Sequence, residues 1–360
     1  MPETDRIVWI DVLRGFALLG VLWSRLDQTF SPTAPASGLQ YALQWAQDWL
    51  LDTRFYTLLG FLFGFGFAVQ VTRSERRGID PRKIFLKRMA ALLGIGIVHW
   101  LVWPGDILTT YALLGVLLLP FRRFSPRGLL IAALLLLVLV PYLINAGVVG
   151  FGVRFPPPQQ QQSIDQIYAH GSFAEIVAQS VRSNFYSHVR WKLFTFPPFL
   201  ALFVLGLWAA KADLLRRVIG RQRLLAAILL VSVAVTLLGG YLFVHFEQLW
   251  PKPTAPATLS DMLFHSRALR PIAWRIIDLS TVWGDACAYA AGLALMLSIP
   301  GCARVLGPLA AVGRMSLTTY LTQSLITVFL FFNYGLGWYG RVGYDGMLAI
   351  TLVIFRCRCA

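Results

Sequence analysis

Residues 7–23, IVWIDVLRGFALLGVLW, decide the class of fold. Apart from Asp11 and Arg14 the segment is apolar, and it approaches the roughly 20 residues that a helix needs to cross a bilayer. A charged side chain at the bilayer centre costs about 2.5–3.5 kcal/mol on insertion scales, so such charges usually face a protein interior or a wet cavity. Because Asp11 and Arg14 stand three residues apart, they share one face of the predicted helix.

The rest of the chain has the same apolar character. Of its 360 residues 57% are hydrophobic and 14% are charged, and the mean hydropathy is +0.64; soluble domains have about 25% charged residues. We predict an all-α fold, a polytopic membrane helical bundle in which residues 1–360 form a single integral-membrane domain. The predicted spans number about ten, at roughly 7–25, 55–72, 88–103, 106–121, 128–150, 196–210, 224–246, 279–299, 315–333 and 344–356.

The basic residues predict the orientation of the bundle. The net charge is +15, and lysines and arginines cluster in the short loops after the second, fourth and sixth spans. This distribution is typical of cytoplasmic loops and not of a nucleic-acid surface, so we expect no nucleic-acid partner. With about ten spans, both termini are then cytoplasmic. No cluster of His, Cys, Asp or Glu has the spacing of metal ligands, so we predict no metal site.

Two longer segments are predicted on the outer side. Residues 151–195 begin as a proline- and glutamine-rich linker and continue into an amphipathic helix, which starts at the capping box of Ser172 and Glu175 and reaches about Ser187. We expect this helix to lie on the outer membrane surface. Residues 247–278 form a second external loop.

A short set of polar residues interrupts the apolar segments. His99 lies about one turn before the Pro104-Gly105 corner and Asp106 follows it, so the two could come within hydrogen-bonding reach. A histidine with a carboxylate behind it is the usual arrangement of an oriented general base. Two other interpretations remain open at this point. His99 could anchor its span at the headgroup level, and Asp106 could cap the returning helix.

The sequence does not identify the partners of the remaining intramembrane charges. Asp11 and Arg14 could be only an intrahelical pair. Asp285 has no charged neighbour in sequence, and it could bond Arg14 or face a polar cavity. Glycines are dense at Gly60-x-x-x-Gly64-x-Gly66 and at Gly94-x-Gly96, which predicts close helix packing.

Four stretches together resemble the YeiB-like bacterial inner-membrane proteins, catalogued as domain of unknown function 418. They are residues 10–20 (IDVLRGFALLG), 55–66 (FYTLLGFLFGFG), 99–108 (HWLVWPGDIL) followed by Tyr111-Ala112, and 313–321 (GRMSLTTYL). The resemblance covers nearly the whole chain and implies a multi-pass protein of the bacterial cytoplasmic (inner) membrane. The chain departs from the family pattern at its end. The last apolar run is about half a span, so residues 356–360 are expected to be an aberrant C-terminal end.

The Asp-x-x-Arg-Gly opening is in turn similar to that of membrane acyltransferases, including the heparan glucosaminide N-acetyltransferase group and acyltransferase family 3. This likeness implies acyl-CoA as a co-substrate and a sugar or lipid acceptor across the membrane. Arg14, with its rotamer fixed by Asp11, and Arg314 are then the predicted acyl-CoA-binding residues, and His99 with Asp106 the catalytic ones. The glucosaminide group carries its working histidine after the first span, whereas residues 26–54 here contain none.

Three functions are compatible with these patterns. The first is an acyl-CoA-dependent O- or N-acyltransferase that uses His99 as general base. The second is a transporter or export component whose charges line a translocation path. The third is a structural or partner-binding membrane protein whose charges hold helices together. The sequence leaves the acceptor, the acyl donor and a homo-oligomeric state open.

Overall fold

The computed structural model describes residues 3–30, 32–51, 54–144, 161–190, 192–249 and 269–356, and within these ranges it contains helices and no strand. This confirms the all-α prediction, and each of the ten predicted apolar segments overlaps a helix. The helices are α1 (Glu3–Phe30), α2 (Gly38–Ala46), α3 (Arg54–Arg76), α4 (Pro81–Val102), α5 (Leu108–Leu118), α6 (Pro126–Leu134), α7 (Gln161–His170), α8 (Phe173–Arg190), α9 (Lys192–Lys211), α10 (Leu214–Val218), α11 (Gln222–Val244), α12 (Phe246–Leu249), α13 (Leu269–Leu297), α14 (Cys302–Arg314), α15 (Ser316–Phe331) and α16 (Tyr344–Arg356).

Some helices continue in other geometries. A π-helical turn, Gln47–Leu51, follows α2, and another, Leu135–Leu139, follows α6. The 3-10 segment Leu119–Arg123 extends α5.

Four helical stretches among the described residues are long and apolar enough to cross a membrane: Gly38–Arg76, Pro81–Val102, Pro126–Ile144 and Gln222–Val244. Two shorter apolar helices cover Phe196–Lys211 and Ser316–Phe331. The helices thus indicate a membrane protein, but not the predicted number of spans. Helix α5 shows why, because its 11 residues extend only about 17 Å, little more than half of a hydrocarbon core of about 30 Å.

Local sequence explains where several helices begin. The Asp80 carboxylate accepts a hydrogen bond from the Arg82 N–H (2.9 Å) and Pro81 occupies the first turn of α4. The predicted capping box of α8 is confirmed, since Ser172 N–H and Oγ both contact Glu175 Oε2, at 2.8 and 2.7 Å. These bonds lower the pKa of the Glu175 carboxyl. Helix α8 runs to Arg190, slightly beyond the predicted end.

The two predicted external segments are more helical than expected. Of residues 151–195, the first ten lie outside the described residues, and the rest contains α7, α8 and the start of α9. Of residues 247–278, the part from 250 to 268 lies outside the described residues, and α13 begins at Leu269. Of the predicted aberrant end, only Arg356 is described, as the last residue of α16.

Helix α1 lies at the centre of the bundle. It packs most extensively against α14, an element that hydropathy did not predict, and it also contacts α3, α13, α15 and α16. Two glycines allow the backbones of α1 and α14 to touch. A Cβ on Gly15 would lie 1.9 Å from the Leu309 backbone oxygen, and a Cβ on Gly313 would lie 1.9 Å from the Asp11 backbone oxygen.

Glycines also permit the close crossing of α3 and α9. A Cβ on Gly64 would lie 1.9 Å from the Phe203 backbone oxygen, and one on Gly206 would lie 2.0 Å from the Phe61 backbone oxygen. The packing predicted for the Gly60–Gly64 stretch is therefore confirmed. The prediction is wrong for Gly94, because no neighbouring atom among the described residues lies within 4 Å of the place that a Cβ on it would take.

Aromatic side chains close the end of the bundle at which α4 meets α5. Phe30 stacks on Phe331 with ring centroids 4.3 Å apart, and Tyr168 of α7 stacks on Phe332 at 4.8 Å. The Asn333 amide nitrogen donates to the backbone oxygens of His170 and Gly171. Helices α7 and α8 therefore pack over this end of the bundle.

Candidate functional site

His99 lies near the C-terminal end of α4 with only 4% of its surface exposed. Its Nδ1 is 2.8 Å from Oδ1 of Asp106, so the predicted proximity of the two residues is observed. The approach depends on Gly96, one turn earlier, because a Cβ there would lie 2.8 Å from the Thr109 backbone nitrogen. His99 is thus a buried residue held against the start of α5.

The carboxylate of Asp106 binds four donors. Besides His99, it accepts the backbone N–H groups of Leu108 (3.1 Å) and Thr109 (2.9 Å) and the Thr109 hydroxyl (2.6 Å). One carboxylate therefore bonds the first N–H groups at the start of α5 and also contacts His99, so the contacts required by both interpretations from sequence are present.

Ser324 of α15 completes this arrangement, and sequence reasoning missed it. Its Oγ lies 2.7 Å from Nε2 of His99, and the side chain is 3% exposed. One signal could have found it. Helix α15 exposes several apolar side chains (Leu317, Leu325, Ile326 and Phe329) and buries a polar stripe, Thr319, Tyr320, Gln323, Ser324 and Thr327. In a membrane span such a stripe marks a functional face.

The hydrogen-bond network assigns the protons. An ionised carboxylate only accepts hydrogen bonds, and Asp106 receives three donors from α5, so the His99 Nδ1 must carry the proton that faces it. In the neutral form of this imidazole the lone pair is then on Nε2, which lies 2.7 Å from Ser324 Oγ. The row Asp106–His99–Ser324 therefore has the order and polarity of an acid–histidine–hydroxyl relay.

Further polar groups surround the relay. The Tyr320 ring lies 5.3 Å from the His99 ring, and its hydroxyl donates to the Gly105 backbone oxygen at 3.4 Å. The Arg25 guanidinium lies 5.0 Å from the centroid of the Tyr56 ring and next to Gly105. Oε1 of Gln323 is buried and has no hydrogen-bond partner among the described residues. This part of the bundle is polar although it is buried.

The Asp11–Arg14 pair forms a second polar site. Arg14 Nη1 lies 3.7 Å from Asp11 Oδ1, and the Arg14 side chain is 30% exposed. Arg314 also attracts the Asp11 carboxylate, and Arg88 of α4 repels the Arg14 charge. Arg88 in turn donates to Oε1 of Gln70. Arg14 and Arg314, both predicted as cofactor-binding residues, thus lie near the Asp11 carboxylate, and Arg88 lies near Arg14.

The two polar sites lie at different depths in the bundle. Arg14 and Arg25 are 11 residues apart on α1, and Arg88 and His99 are 11 residues apart on α4. At 1.5 Å per residue, both helices give a separation of about 16 Å. We call the two regions the Arg14 end and the His99 end of the bundle.

Asp285 belongs to neither site. Its Oδ2 lies 3.0 Å from Nε of Arg54, both side chains are about 90% buried, and the pair links α13 to α3. The pairing of Asp285 with Arg14, one of the two possibilities considered from sequence, is therefore wrong. The sequence did not reveal Arg54, because the pair joins residues 231 positions apart. In the described residues no group of three or more His, Cys, Asp or Glu side chains could hold a metal ion.

Residues 209–360 match the family model described as "Protein of unknown function (DUF418)". The chain is 29% identical to the uncharacterized protein YxaH of Bacillus subtilis, over 97% of this chain and 87% of that protein. It is 26% identical to an uncharacterized 39.9 kDa protein of Bacillus acidopullulyticus, over 98% and 86% of the two chains. The uncharacterized protein YeiB of Escherichia coli is 29% identical over 41% of this chain and 37% of its own length.

The predicted resemblance to the YeiB-like DUF418 proteins is confirmed. Ser324, Arg314 and Asp285 lie within the matched DUF418 region, whereas His99, Asp106 and Arg14 precede it. Both polar sites therefore combine residues from the DUF418 region with residues from the first third of the chain. None of the three relatives' names states an activity.

Proposed function

We propose that this DUF418 protein is a membrane-embedded acyltransferase. It would move an acyl group from cytoplasmic acyl-CoA to a hydroxyl or amine of a sugar or lipid at the outer side of the bacterial cytoplasmic membrane. The observation that carries the proposal is the buried row Asp106–His99–Ser324, with its two hydrogen bonds of 2.8 and 2.7 Å. A neutral histidine oriented by a carboxylate and facing a hydroxyl is suited to general-base catalysis of acyl transfer.

The Arg14 end supplies the features of a donor site. Arg14 and Arg314 lie near Asp11, Arg88 lies near Arg14, and Arg14 is partly exposed. A guanidinium binds phosphate through a planar fork of donors, so this cluster suits the phosphates of CoA. Acyl-CoA carries its phosphates and its thioester at opposite ends of a flexible arm. This agrees with two sites that are separated along α1 and α4.

The proposed orientation places the two ends on opposite sides of the membrane. Helix α4 begins with Arg82, Lys83, Lys87 and Arg88, which favour the cytoplasm, and His99 lies one turn from its other end. In the proposal the bundle has about ten spans with both termini inside, and residues 151–195 and 247–278 are external. The donor then enters at the Arg14 end and the acceptor at the His99 end.

The test is the release of free CoA by the purified protein in lipid nanodiscs. Acetyl-CoA and palmitoyl-CoA serve as donors, and glucosamine and glucose as sugar acceptors. We expect His99→Ala to lower turnover by about 10²–10⁴-fold, the usual contribution of a general base. Arg14→Gln should raise KM for the donor with little change in kcat, because it removes binding and leaves the relay intact.

Two exposed residues provide matched controls, His170→Ala for the histidine and Arg73→Gln for the arginine. Neither change should alter turnover. Equal turnover in the wild type, His99→Ala and Arg14→Gln would refute the proposed mechanism. Flux of a solute through proteoliposomes without any CoA would instead favour a transporter.

A further inference from the structure

We propose that Ser324 is the nucleophile that receives the acyl group from the donor before the acceptor takes it. The inference rests on the proposed function and assigns the relay a covalent step. It starts from the position of Ser324 Oγ, 2.7 Å from the imidazole nitrogen of His99 that Asp106 leaves as a proton acceptor. The donor class is an acyl thioester.

The geometry around Oγ selects this role. Three acceptors lie within reach of the Ser324 hydroxyl: Nε2 of His99 at 2.7 Å and the backbone oxygens of Tyr320 and Leu321, both at 2.9 Å. The imidazole nitrogen is the nearest and the most basic of the three. The hydroxyl proton therefore lies toward His99, which activates Oγ as a nucleophile.

Other hydroxyls in the bundle show what a purely structural role looks like. Ser298 bonds back to the Ala294 backbone oxygen, Thr327 to the Gln323 oxygen and Thr351 to the Met347 oxygen, each four residues earlier. Such bonds fully satisfy a hydroxyl inside a helix. The Tyr320 backbone oxygen is in reach of Ser324 Oγ in the same way, but Ser324 differs from these three because Nε2 of His99, a nearer and more basic acceptor, competes for its one hydroxyl proton.

A covalent intermediate also agrees with the separation of the Arg14 end from the His99 end of the bundle. Donor and acceptor approach from opposite ends, about 16 Å apart along α1 and α4. With the acyl group held on Ser324 at the His99 end, donor and acceptor need not occupy the bundle together. Direct transfer would instead require both at His99 at once.

Both halves of the reaction conserve atoms and protons. His99 Nε2 takes the Ser324 hydroxyl proton while Oγ bonds to the thioester carbonyl carbon. The C–S bond then breaks, and the thiolate leaves as free CoA with the proton from Nε2. In the second half His99 takes a proton from the acceptor hydroxyl, whose oxygen attacks the Ser324 ester. The bond from the acyl carbon to Oγ breaks, and Oγ recovers the proton.

A long-chain alkyl fluorophosphonate tests the nucleophile independently of CoA. In this reaction an Oγ–P bond forms, the P–F bond breaks, and fluoride leaves with the proton that His99 received. The full-length protein in nanodiscs is treated with the probe, and the modified residue is identified by peptide mass spectrometry. We expect label on Ser324, none in Ser324→Ala, and a rate at least about 10²-fold lower in His99→Gln.

Ser298→Ala is the matched control, because it removes a helix-interior serine with the same backbone bond but no bond to histidine, and its labelling should equal the wild type. Thermal unfolding of each variant verifies that the bundle remains folded. An unlabelled Ser324 in folded wild-type protein overturns the inference. Labelling that proceeds equally fast in His99→Gln also overturns it.

A second measurement separates this inference from the proposed function. The protein is incubated with radiolabelled acetyl-CoA without acceptor, and the acid-quenched protein is tested for a hydroxylamine-sensitive acetyl ester. An ester that is lost in Ser324→Ala supports the covalent step. If CoA release persists in Ser324→Ala but not in His99→Ala, transfer is direct and only the covalent step fails. If fluorophosphonate labels the wild type but no CoA is released, the result supports Ser324 as the nucleophile and refutes acyl-CoA as the donor.

Discussion

The two polar ends of the bundle are built in different ways. At the His99 end the contacts of Asp106 are short and buried, with hydrogen bonds of 2.6–3.1 Å and side-chain exposures of 2% for His99 and 0% for Asp106. At the Arg14 end the ion pair is 3.7 Å long and Arg14 is 30% exposed. There the helices are held by backbone contact at Gly15 and Gly313, and the charged side chains contribute less to their position.

This difference agrees with the two tasks that we propose for the two ends. A group that transfers a proton must be held in one orientation before the substrate arrives, which requires a closed network of hydrogen bonds. A group that binds a mobile anion must keep donors available, which requires an incompletely satisfied cation. The His99 end has the first property and the Arg14 end the second. Four substitutions test the distinction, in order of decreasing expected effect.

The largest effect is expected from Asp106→Asn. An asparagine oxygen in the place of Oδ2 can still accept from the Thr109 N–H and hydroxyl, but its amide nitrogen then takes the place of Oδ1, where it faces the Leu108 N–H and His99 Nδ1 and reverses the tautomer. We expect turnover to fall by about 10²–10⁴-fold, as in other carboxylate–histidine relays. The measurement is CoA release from acyl-CoA.

Asp80→Asn is its control, since Asp80 caps α4 in the same way without a histidine. The same change at the other end, Asp11→Asn, should lower turnover by less than about 10-fold, because Asp11 only positions Arg14. Equal losses in Asp106→Asn and Asp11→Asn would remove the distinction between the two ends.

The second effect concerns the backbone contact at the Arg14 end. In Gly313→Ala the new Cβ would lie 1.9 Å from the Asp11 backbone oxygen, so α1 and α14 must separate. We expect the free energy of unfolding to fall by about 2–3 kcal/mol. Gly307→Ala, in the same helix with open space beside it, should not destabilise the protein. Denaturant unfolding in detergent micelles compares the two variants.

A smaller effect is expected from the equivalent change at the His99 end. Gly96→Ala places a Cβ 2.8 Å from the Thr109 backbone nitrogen, a milder conflict that shifts α5 by a fraction of an ångström. The predicted cost is about 1–2 kcal/mol of unfolding free energy, and turnover should fall as well, because Asp106 moves with α5. Gly94→Ala meets no described neighbour within 4 Å and should leave both quantities unchanged. Activity that survives in Gly96→Ala would show that the relay tolerates displacement.

Thr109→Val should have the smallest effect. It removes the hydroxyl that donates to Asp106 at 2.6 Å and keeps the shape of the side chain. Since Asp106 retains its backbone donors and His99, we expect a cost of about 1 kcal/mol and a loss of turnover below about 10-fold. The control is Thr322→Val, whose hydroxyl bonds to backbone oxygens of its own helix. Thermal unfolding and CoA release provide the measurements.

Much of the site could be predicted because its residues are close in sequence. His99 and Asp106 flank a Pro-Gly corner, and Asp11 and Arg14 stand on one helix face, so local geometry brings each pair together. Ser324 and Arg54 could not be paired with their partners in this way. Ser324 is 225 residues from His99, and Arg54 is 231 residues from Asp285. In both cases the contact depends on which helices become neighbours.

The sequence by itself determined that this protein is an apolar, all-helical chain, because hydropathy and helical periodicity are local properties. For the same reason it showed which charged residues lie inside apolar segments, where a charge needs a partner within the protein. It also determined the start of α8 and the glycines at which helices α3 and α9 approach. Only the tertiary structure decided that α14 packs along α1 and that α15 turns its polar stripe toward α4. Only this packing brings Ser324 to His99. A hydroxyl can take part in a relay only when it lies within hydrogen-bonding distance of a base, and the crossing of α4 and α15 sets that distance.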